Sequence, residues 1–349
     1  MSRILKQLPR VYGPLKFHAE IKPLEAKYRR YPTGQATIAL SDGSEEPTSC
    51  IRCVDPPCIR RPRIAPSSEF GSLFPADQNN LVCPVDAIHW PIDEPLPEIN
   101  SQKCIACGIC ISACPVSAIY FAEDDTLRVA ETQAEYLVDL EEPSDVGIAQ
   151  ISKTGQAHDE VTALLATVYE KIERNSRFGG ANFPNILTRN LLGELGVNAM
   201  TRRQGDTNIR MDMLLDSTSS VGVAEIEFGI DALNSPRNLL DNIAVLSARY
   251  GLNKENLVPV VFTLSLPNLR SEYWQVLKDI SNVLGIRIAT VSVGALLIIL
   301  AMNKKIHVED LSTFYVDSEQ QSLRQAVEAI VGFDVNVPEG LLGVLEPQK

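Results

Sequence analysis

The sequence predicts two domains of different construction: a metal-held, cysteine-rich N-terminal domain and a cysteine-free C-terminal domain that mixes helices and strands. Three observations carry this expectation. The chain has 349 residues, which at roughly 150 per domain suggests about two domains with separate cores. All eight cysteines fall between Cys50 and Cys114, leaving the last 235 residues (349 − 114) without one. From residue 161 onward, helical and strand periodicities follow one another. The expected division is 1–136 for the first domain, with an insertion at 59–82, and 161–349 for the second with a C-terminal helical extension. Between them, 137–160 reads as an acidic linker carrying Glu141-Glu142-Pro143 and Gly147.

Composition narrows the function classes. Apolar residues at 45% and charged residues at 22% are globular values, which excludes a wholly disordered chain. The longest apolar run, Ile288 to Met302, is shorter than the ~18 residues of a bilayer span and is interrupted by Thr290, Ser292 and Gly294. It reads as a buried strand running into a buried helix. The N-terminus carries Arg3 and Lys6 but no secretory apolar stretch, so the expectation is a soluble, cytoplasmic protein without a membrane partner. A net charge of −12 argues against a generally basic nucleic-acid binder. The distribution is uneven, however: residues 1–63 hold 12 Lys/Arg against 6 Asp/Glu, and 171–210 hold 7 against 3. Either these stretches are solvated surface or they form a local binding footprint.

The cysteines form two halves. The second reads Cys104-Ile-Ala-Cys107-Gly-Ile-Cys110-Ile-Ser-Ala-Cys114-Pro115, and the first is Cys50-Ile-Arg-Cys53-Val-Asp-Pro-Pro-Cys58 followed at a distance by Cys83-Pro84. In an intracellular chain such confinement points to metal rather than disulfides. Zinc also favours paired C-x2-C knuckles but rarely a C-x2-C-x2-C row. The second half matches the C-x2-C-x2-C-x3-C-P run of bacterial-type ferredoxins. Cys83-Pro-Val-Asp-Ala-Ile and Cys114-Pro-Val-Ser-Ala-Ile are near-identical arms of an internal repeat. The segment therefore resembles a two-cluster [4Fe–4S] ferredoxin of α+β fold. It departs in two places: four residues separate Cys53 from Cys58, and twenty-four separate Cys58 from Cys83. The crossed ligation of that family implies one cluster on Cys50, Cys53, Cys58 and Cys114, and a second on Cys104, Cys107, Cys110 and Cys83. Such clusters pass electrons, sense oxidation or staple a small domain. The sequence shows neither G-x-G-x-x-G nor the Walker motif, so an electron would come from a redox partner protein.

In the cysteine-free half, Val161, Leu164, Leu165, Val168 and Ile172 recur at helical spacing. Leu187, Leu191, Leu192 and Leu195 mark a second helix ended by Gly196, and a short strand runs from Val197 to Thr201. Arg210 to Leu215 alternates with strand period, Asp216-Ser-Thr-Ser-Ser220 is a turn cluster, and Val221 to Phe228 is a further strand. Glu225 and Glu227 then share a face. With the turn at 216–220, Leu215 pairs near Val221 and Asp212 falls opposite Ala224 or Glu225. Carboxylates so placed repel one another unless a cation neutralises them. Mg²⁺ (or Mn²⁺) on Asp212 and Glu225 is the natural candidate, able to polarise a phosphoryl oxygen and activate water. The plain alternative is a solvent-facing hairpin edge with no metal.

Ser235-Pro236 starts the next helix, as N-cap and first-turn proline, and Tyr250-Gly251 ends it. Leu257 to Leu264 is a buried strand. Helix, three strands, helix, strand, with Asp212 in the second strand and Glu225-Ile-Glu227 in the third, resembles the core of the PD-(D/E)XK restriction-endonuclease-like superfamily. Gly205-Asp206 before the second strand adds to the likeness. The resemblance implies an α/β fold with a mixed sheet flanked by helices, and metal-dependent cleavage of DNA, plausible in restriction or defence. Glu227 stands where that family has Lys, and would serve as base or second-metal ligand. Glu194 is the nearest candidate for its helix-borne acid.

The remaining landmarks keep two readings each. Arg202, Arg203 and Gln204 either touch DNA phosphates and bases or are solvated surface. Lys6, Arg10, Lys16, Lys22, Lys27, Arg29 and Arg30, interleaved with Tyr12, Phe17, Tyr28 and Tyr31, form a nucleic-acid arm or an extended strand of the first domain. Trp274, Leu277, Ile280 and Leu284 give a helix face, Ile286 to Val291 a strand, and Ala295 to Met302 a buried helix. The amphipathic stretch Ser318 to Val331 covers the core or mediates a homodimer. The favoured function is a Mg²⁺-dependent endodeoxyribonuclease with catalytic Asp212, Glu225 and Glu227, carrying two [4Fe–4S] clusters. Its rivals are an electron-transfer or redox-sensing protein whose second domain docks a partner, and a DNA binder without activity.

Overall fold

The computed structural model describes residues 56–61, 64–91, 97–114, 119–121, 127–129, 168–176, 182–203, 205–206, 209–229, 232–302, 304–335, 337, 341 and 343–348. Cys50, Cys53, Gln204, the basic N-terminal stretch and the acidic linker at 137–160 lie outside them. The chain divides into one unit of Met1–Arg63 with Asn80–Ala157, and a second of Ile64–Asn79 with His158–Lys349. Reading in chain order assigns all of 59–82 to the first domain. The division instead places 64–79 in the second unit.

In the cysteine-bearing unit, β1 (Ile88–His89) pairs antiparallel with β2 (Glu98–Ile99), and β3 (Ile119–Phe121) with β4 (Leu127–Val129). A single helical turn, Ile109–Ala113, follows the cysteine row. Strands of two or three residues give little ladder energy. The apolar core is correspondingly small: Val82, Ala87, Ile88, Ile105, Ile109, Ala113 and Ile119 are all buried. Such a core gains from a metal group at its centre.

The second unit is built on a five-stranded mixed sheet in the order β5-β6-β7-β8-β9. The strands are β5 (Asn198–Thr201), β6 (Met213–Asp216), β7 (Val221–Glu227), β8 (Leu257–Thr263) and β9 (Ala289–Ser292). The first three form an antiparallel meander, and β8 and β9 add parallel to β7. The longer helices are α1 (Phe183–Glu194), α2 (Ser235–Tyr250), α3 (Glu272–Leu284), α4 (Val293–Ala301) and α5 (Arg324–Val331), preceded by a helix that includes 168–176, and a short helix spans Glu69–Leu73. Parallel neighbours such as β7 and β8 require a crossover, which α2 supplies.

Each element follows from its residues, with shifts at the ends. Leu187, Leu191, Leu192 and Leu195 are fully buried on one stripe of α1, and Gly196 (φ 98°) ends that segment. β6 begins three residues later than the alternation suggests, at Met213, and runs through Asp216 instead of turning there. Asp216 pairs with Val221 and Leu215 with Gly222, one step from the expected register. Three turn hydroxyls, on Ser217, Ser219 and Ser220, donate to Glu309 and hold its carboxyl down at about 2. Asn234, rather than Ser235, flanks α2, which places Pro236 inside its first turn. Leu284 lies on the end of α3 and is exposed, so the buried face there is Tyr273, Trp274, Leu277 and Ile280. The apolar run around 288–302 splits into edge strand β9 and helix α4, every residue of which is buried. A helix apolar all round belongs at a core centre. No helix among the described residues is long and apolar enough to cross a membrane.

One close approach tests the β6–β7 register. Gly222 lies directly across from Leu215, and a Cβ there would come 2.6 Å from the leucine Cβ. Gly222→Ala is expected to destabilise the protein by about 1–3 kcal/mol, read as a lowered urea midpoint. A midpoint equal to that of the wild type would refute this register.

Candidate functional sites: a thiolate cluster and a carboxylate pair

Six of the eight cysteines are described, and backbone turns bring Cys83, Cys104, Cys107 and Cys110 near one another. The Cys104–Cys110 row passes through two left-handed residues, Ala106 (φ 55°) and Gly108 (φ 75°), before the helical turn Ile109–Ala113. An alanine there costs on the order of 1 kcal/mol, a strain typical of loops shaped around a bound group. The Cys104 sulfur accepts the Ala106 amide at 3.4 Å, and the Cys83 sulfur accepts the Ala87 amide at 3.1 Å. Cys58, Cys107, Cys110 and Cys114 are buried. Burial pushes the Cys107 thiol far up, with the charges of Cys83 and Cys104 adding to the effect. Burial likewise raises Cys110, together with Cys107, Cys83, Cys104 and, less strongly, Cys58.

Cys83, Cys104, Cys107 and Cys110 are therefore near enough to repel one another as thiolates. Thiols in that position stay protonated unless a cationic group replaces the protons. Among the described residues no three His, Cys, Asp or Glu side chains converge as around a single ion. An iron–sulfur cubane binds each thiolate to a different iron and so holds them farther apart than one zinc does. Soft donors, amide N–H groups aimed at sulfur and a dry setting all fit such a cluster. It would supply one-electron exchange there.

The second site sits on the β6–β7 hairpin. The ladder ends at Met213↔Ala224, and the Asp212 amide donates to the Ala224 carbonyl at 3.2 Å, which sets Asp212 beside Glu225. The Asp212 carboxylate accepts the Ile226 amide at 3.1 Å, and burial raises its pKa. Glu225 is buried, and its pKa is pushed up to about 8 by burial and then by the charge of Asp212. Asn242 donates to one of its oxygens at 2.8 Å and Asn238 to the other at 3.4 Å. The positive charge of Arg202 bears on both carboxylates. Sequence reasoning missed the two asparagines, although a signal existed. Asn242 stands on the buried stripe of α2 with Leu239, Ile243 and Leu246, and a polar residue on an apolar stripe needs a partner.

The other sequence candidates disperse. Glu227 turns back to accept the Gly229 amide at 2.7 Å, so the three carboxylates do not gather into one group. Glu194 is buried at the end of α1. Arg203 is largely exposed and pairs weakly with Asp206 at 3.9 Å, whereas Arg202 donates to the Asp206 carbonyl.

Glu225 makes stability depend on pH in a definite direction. Its folded pKa of about 8 lies above its ordinary 4.5, so the folded chain binds this proton more tightly than the unfolded chain. Its contribution is full below the ordinary value and is lost as pH rises toward 8. Without divalent cations, melting temperature is expected to fall between pH 6 and pH 8.5. Glu225→Gln should flatten that slope, and added Mn²⁺ should offset it in the wild type. An equal slope in Glu225→Gln would show that another group titrates.

Comparison with known proteins bears on the cysteine-bearing segment. The 4Fe-4S binding domain family matches residues 97–120. An uncharacterized ferredoxin of Methanocaldococcus jannaschii is 30% identical over 87 residues, 25% of this chain and 41% of that protein. A ferredoxin of Mycolicibacterium smegmatis is 31% identical over 85 residues, 24% of this chain and 74% of that protein. A protein of Hydrogenibacillus schlegelii named Ferredoxin 7Fe is 54% identical over 39 residues, 11% of this chain and 47% of that protein. No solved structure matches. Converging cysteines, the family match at 97–120 and the coverage of 74% of a ferredoxin together place the chain, through its cysteine-bearing segment, in the 4Fe–4S ferredoxin family.

Proposed function

We propose that the protein is an iron–sulfur protein that exchanges single electrons with a partner protein and responds to its redox state. The observation that carries this is the Cys104-x2-Cys107-x2-Cys110 row inside the 4Fe-4S binding domain match at 97–120, with Cys83 brought near it by the fold. These four would hold one [4Fe–4S] cluster. Cys58 and Cys114, with Cys50 and Cys53, would hold a second. A relative named for seven irons supports two clusters, because a single four-iron cubane falls short of that number.

Iron and sulfide analysis of protein purified without oxygen tests the ligand sets. Cys107→Ala is expected to lose the irons of the first set, while Cys58→Ala keeps them and loses those of the second. The wild type should show a reversible one-electron signal in electron paramagnetic resonance on reduction with dithionite. Zinc in place of iron, with no such signal, would refute the reading.

A second reading is favoured by a specific observation: Asp212 and Glu225 lie across one hairpin, with Asn238 and Asn242 fixing the glutamate and Arg202 beside both. In this reading the second unit has the restriction-endonuclease-like fold, and Mg²⁺ or Mn²⁺ between the two carboxylates activates water against a DNA phosphodiester. The order helix, three strands, helix, strand supports it. Glu227, held by the Gly229 amide, then takes no part as a ligand of the cation. Asp212→Ala and Glu225→Ala should each lower Mn²⁺-dependent DNA cleavage about 100-fold or more, since a bound cation contributes several kcal/mol. Cleavage by Asp212→Ala at the wild-type rate would eliminate this reading.

A further inference from the structure

The stretch between Cys58 and Cys83 is held in two places. At its base, in the cysteine-bearing unit, Val82 donates to the Ile59 carbonyl at 3.0 Å and Arg61 to the Asn80 carbonyl at 2.8 Å. Arg60 and Leu81 form an antiparallel bridge between them. This ladder starts one residue inside each cysteine. At its tip, in the sheet-bearing unit, residues 75–77 pair with the end of β5 and the two residues that follow it. Ala76 bridges Arg202, Asp77 donates to the Thr201 carbonyl at 2.8 Å, and Arg203 donates to the Pro75 carbonyl at 2.8 Å.

The tip is also anchored at the far end of β6. The buried Asp216 carboxylate accepts the Ser67 and Ser68 amides and the Ser68 hydroxyl, and Asn198 adds a donor at 3.3 Å. Gly71 makes this possible, because a Cβ there would come 2.6 Å from an Asp216 oxygen. Phe70 is buried edge-on against Tyr250, and Arg189 donates to the Asn79 carbonyl. A solvated insertion needs none of these bonds. Two of the strand residues this segment touches, Thr201 and Arg202, adjoin the carboxylate pair: the Arg202 amide donates to the Asp212 carbonyl at 3.0 Å.

We propose that residues 64–79 are a strap through which occupancy of the cysteine site governs the Asp212–Glu225 site. With one cluster bound through Cys83 and the other through Cys58, both ends of the stretch are fixed, its loop-closure entropy is already lost, and the strap stays paired at β5. Loss of the clusters frees the ends, the ladder at 59–61 and 80–82 frays, and the β5 edge loses its partner. Arg202 then leaves the carboxylates, and the neighbouring pairing with Asp212 loosens. The step is binding and release, with no covalent change in the strap. It rests on the reading that these cysteines hold iron, and is independent of what the carboxylates act upon.

Hydrogen–deuterium exchange on the full chain tests it, comparing anaerobically purified, iron-loaded protein with protein stripped by chelator under oxidation. The Asp77 and Arg203 amides report the strap, and the Arg202 amide reports the next pairing toward Asp212. All three are expected to exchange about tenfold faster or more after stripping, while Val260, Val261 and Phe262 in β8 keep their protection. Asp77→Pro removes the donor to Thr201, and should speed exchange at Arg202 and Arg203 with iron content unchanged. Unchanged exchange at Asp77 and Arg203 in protein that has lost its iron would overturn the strap. Equal acceleration through β8 would overturn it too, because unfolding of the unit would then explain the effect. Protein that never binds iron would instead refute the cluster reading itself, and iron analysis shows this before any exchange is measured.

Discussion

The pairing of β6 with β7 is the constraint on which the second unit depends. One register, Asp216 with Val221, sets both ends of the hairpin. At one end it brings Asp212 beside Glu225. At the other it presents Asp216 to the serines of residues 64–79. A slip of one residue would turn each of these side chains to the opposite face. The register is secured locally by the serine turn bound to Glu309 and by the close fit of Gly222 on Leu215. It is also secured by β7 being central, with β8 parallel on its other side over the whole strand.

The first unit faces a different constraint. Its strands are two or three residues long, and its core is shared by thiols that repel once charged. A bound iron–sulfur group resolves both difficulties, replacing protons on buried sulfur and cross-linking distant parts of the chain. Charge is handled differently at the two sites. Soft thiolates suit a metal group, whereas burial and the charge of Asp212 favour a proton on Glu225, whose pKa is pushed up to about 8. The second arrangement depends on pH.

Much of the architecture was legible because it depends on local periodicity. The leucine stripe of α1, the alternation in β6 and β7, and the proline start and glycine stop of α2 each emerge within two or three residues of the expected place. The carboxylate pair was legible as well, since a hairpin turn and strand period suffice to align Asp212 with Glu225. Two features were harder. Asn238 and Asn242 appear polar and unremarkable until the strand they face is known. Glu227 shares a face with Glu225 by period, but the nearby Gly229 amide captures it first, because a hydrogen bond within its own loop costs less ordering than convergence on a shared site.

The sequence by itself determined the cysteine chemistry, since ligand identity and spacing in Cys104-x2-Cys107-x2-Cys110 limit which group can bind, whatever surrounds them. It also determined the order of helices and strands, which rests on side-chain pattern along the chain. Only the tertiary structure decided the role of residues 64–79. Nothing in Ser67-Ser68-Glu69-Phe70-Gly71 or in Pro75-Ala76-Asp77 specifies a partner, and their bonds run to Asp216 and to Thr201 and Arg203 respectively, more than a hundred residues away. Hydrogen bonds and edge pairing of that kind depend on which strand is left unpaired at the sheet edge, and that is settled only when the whole sheet has assembled.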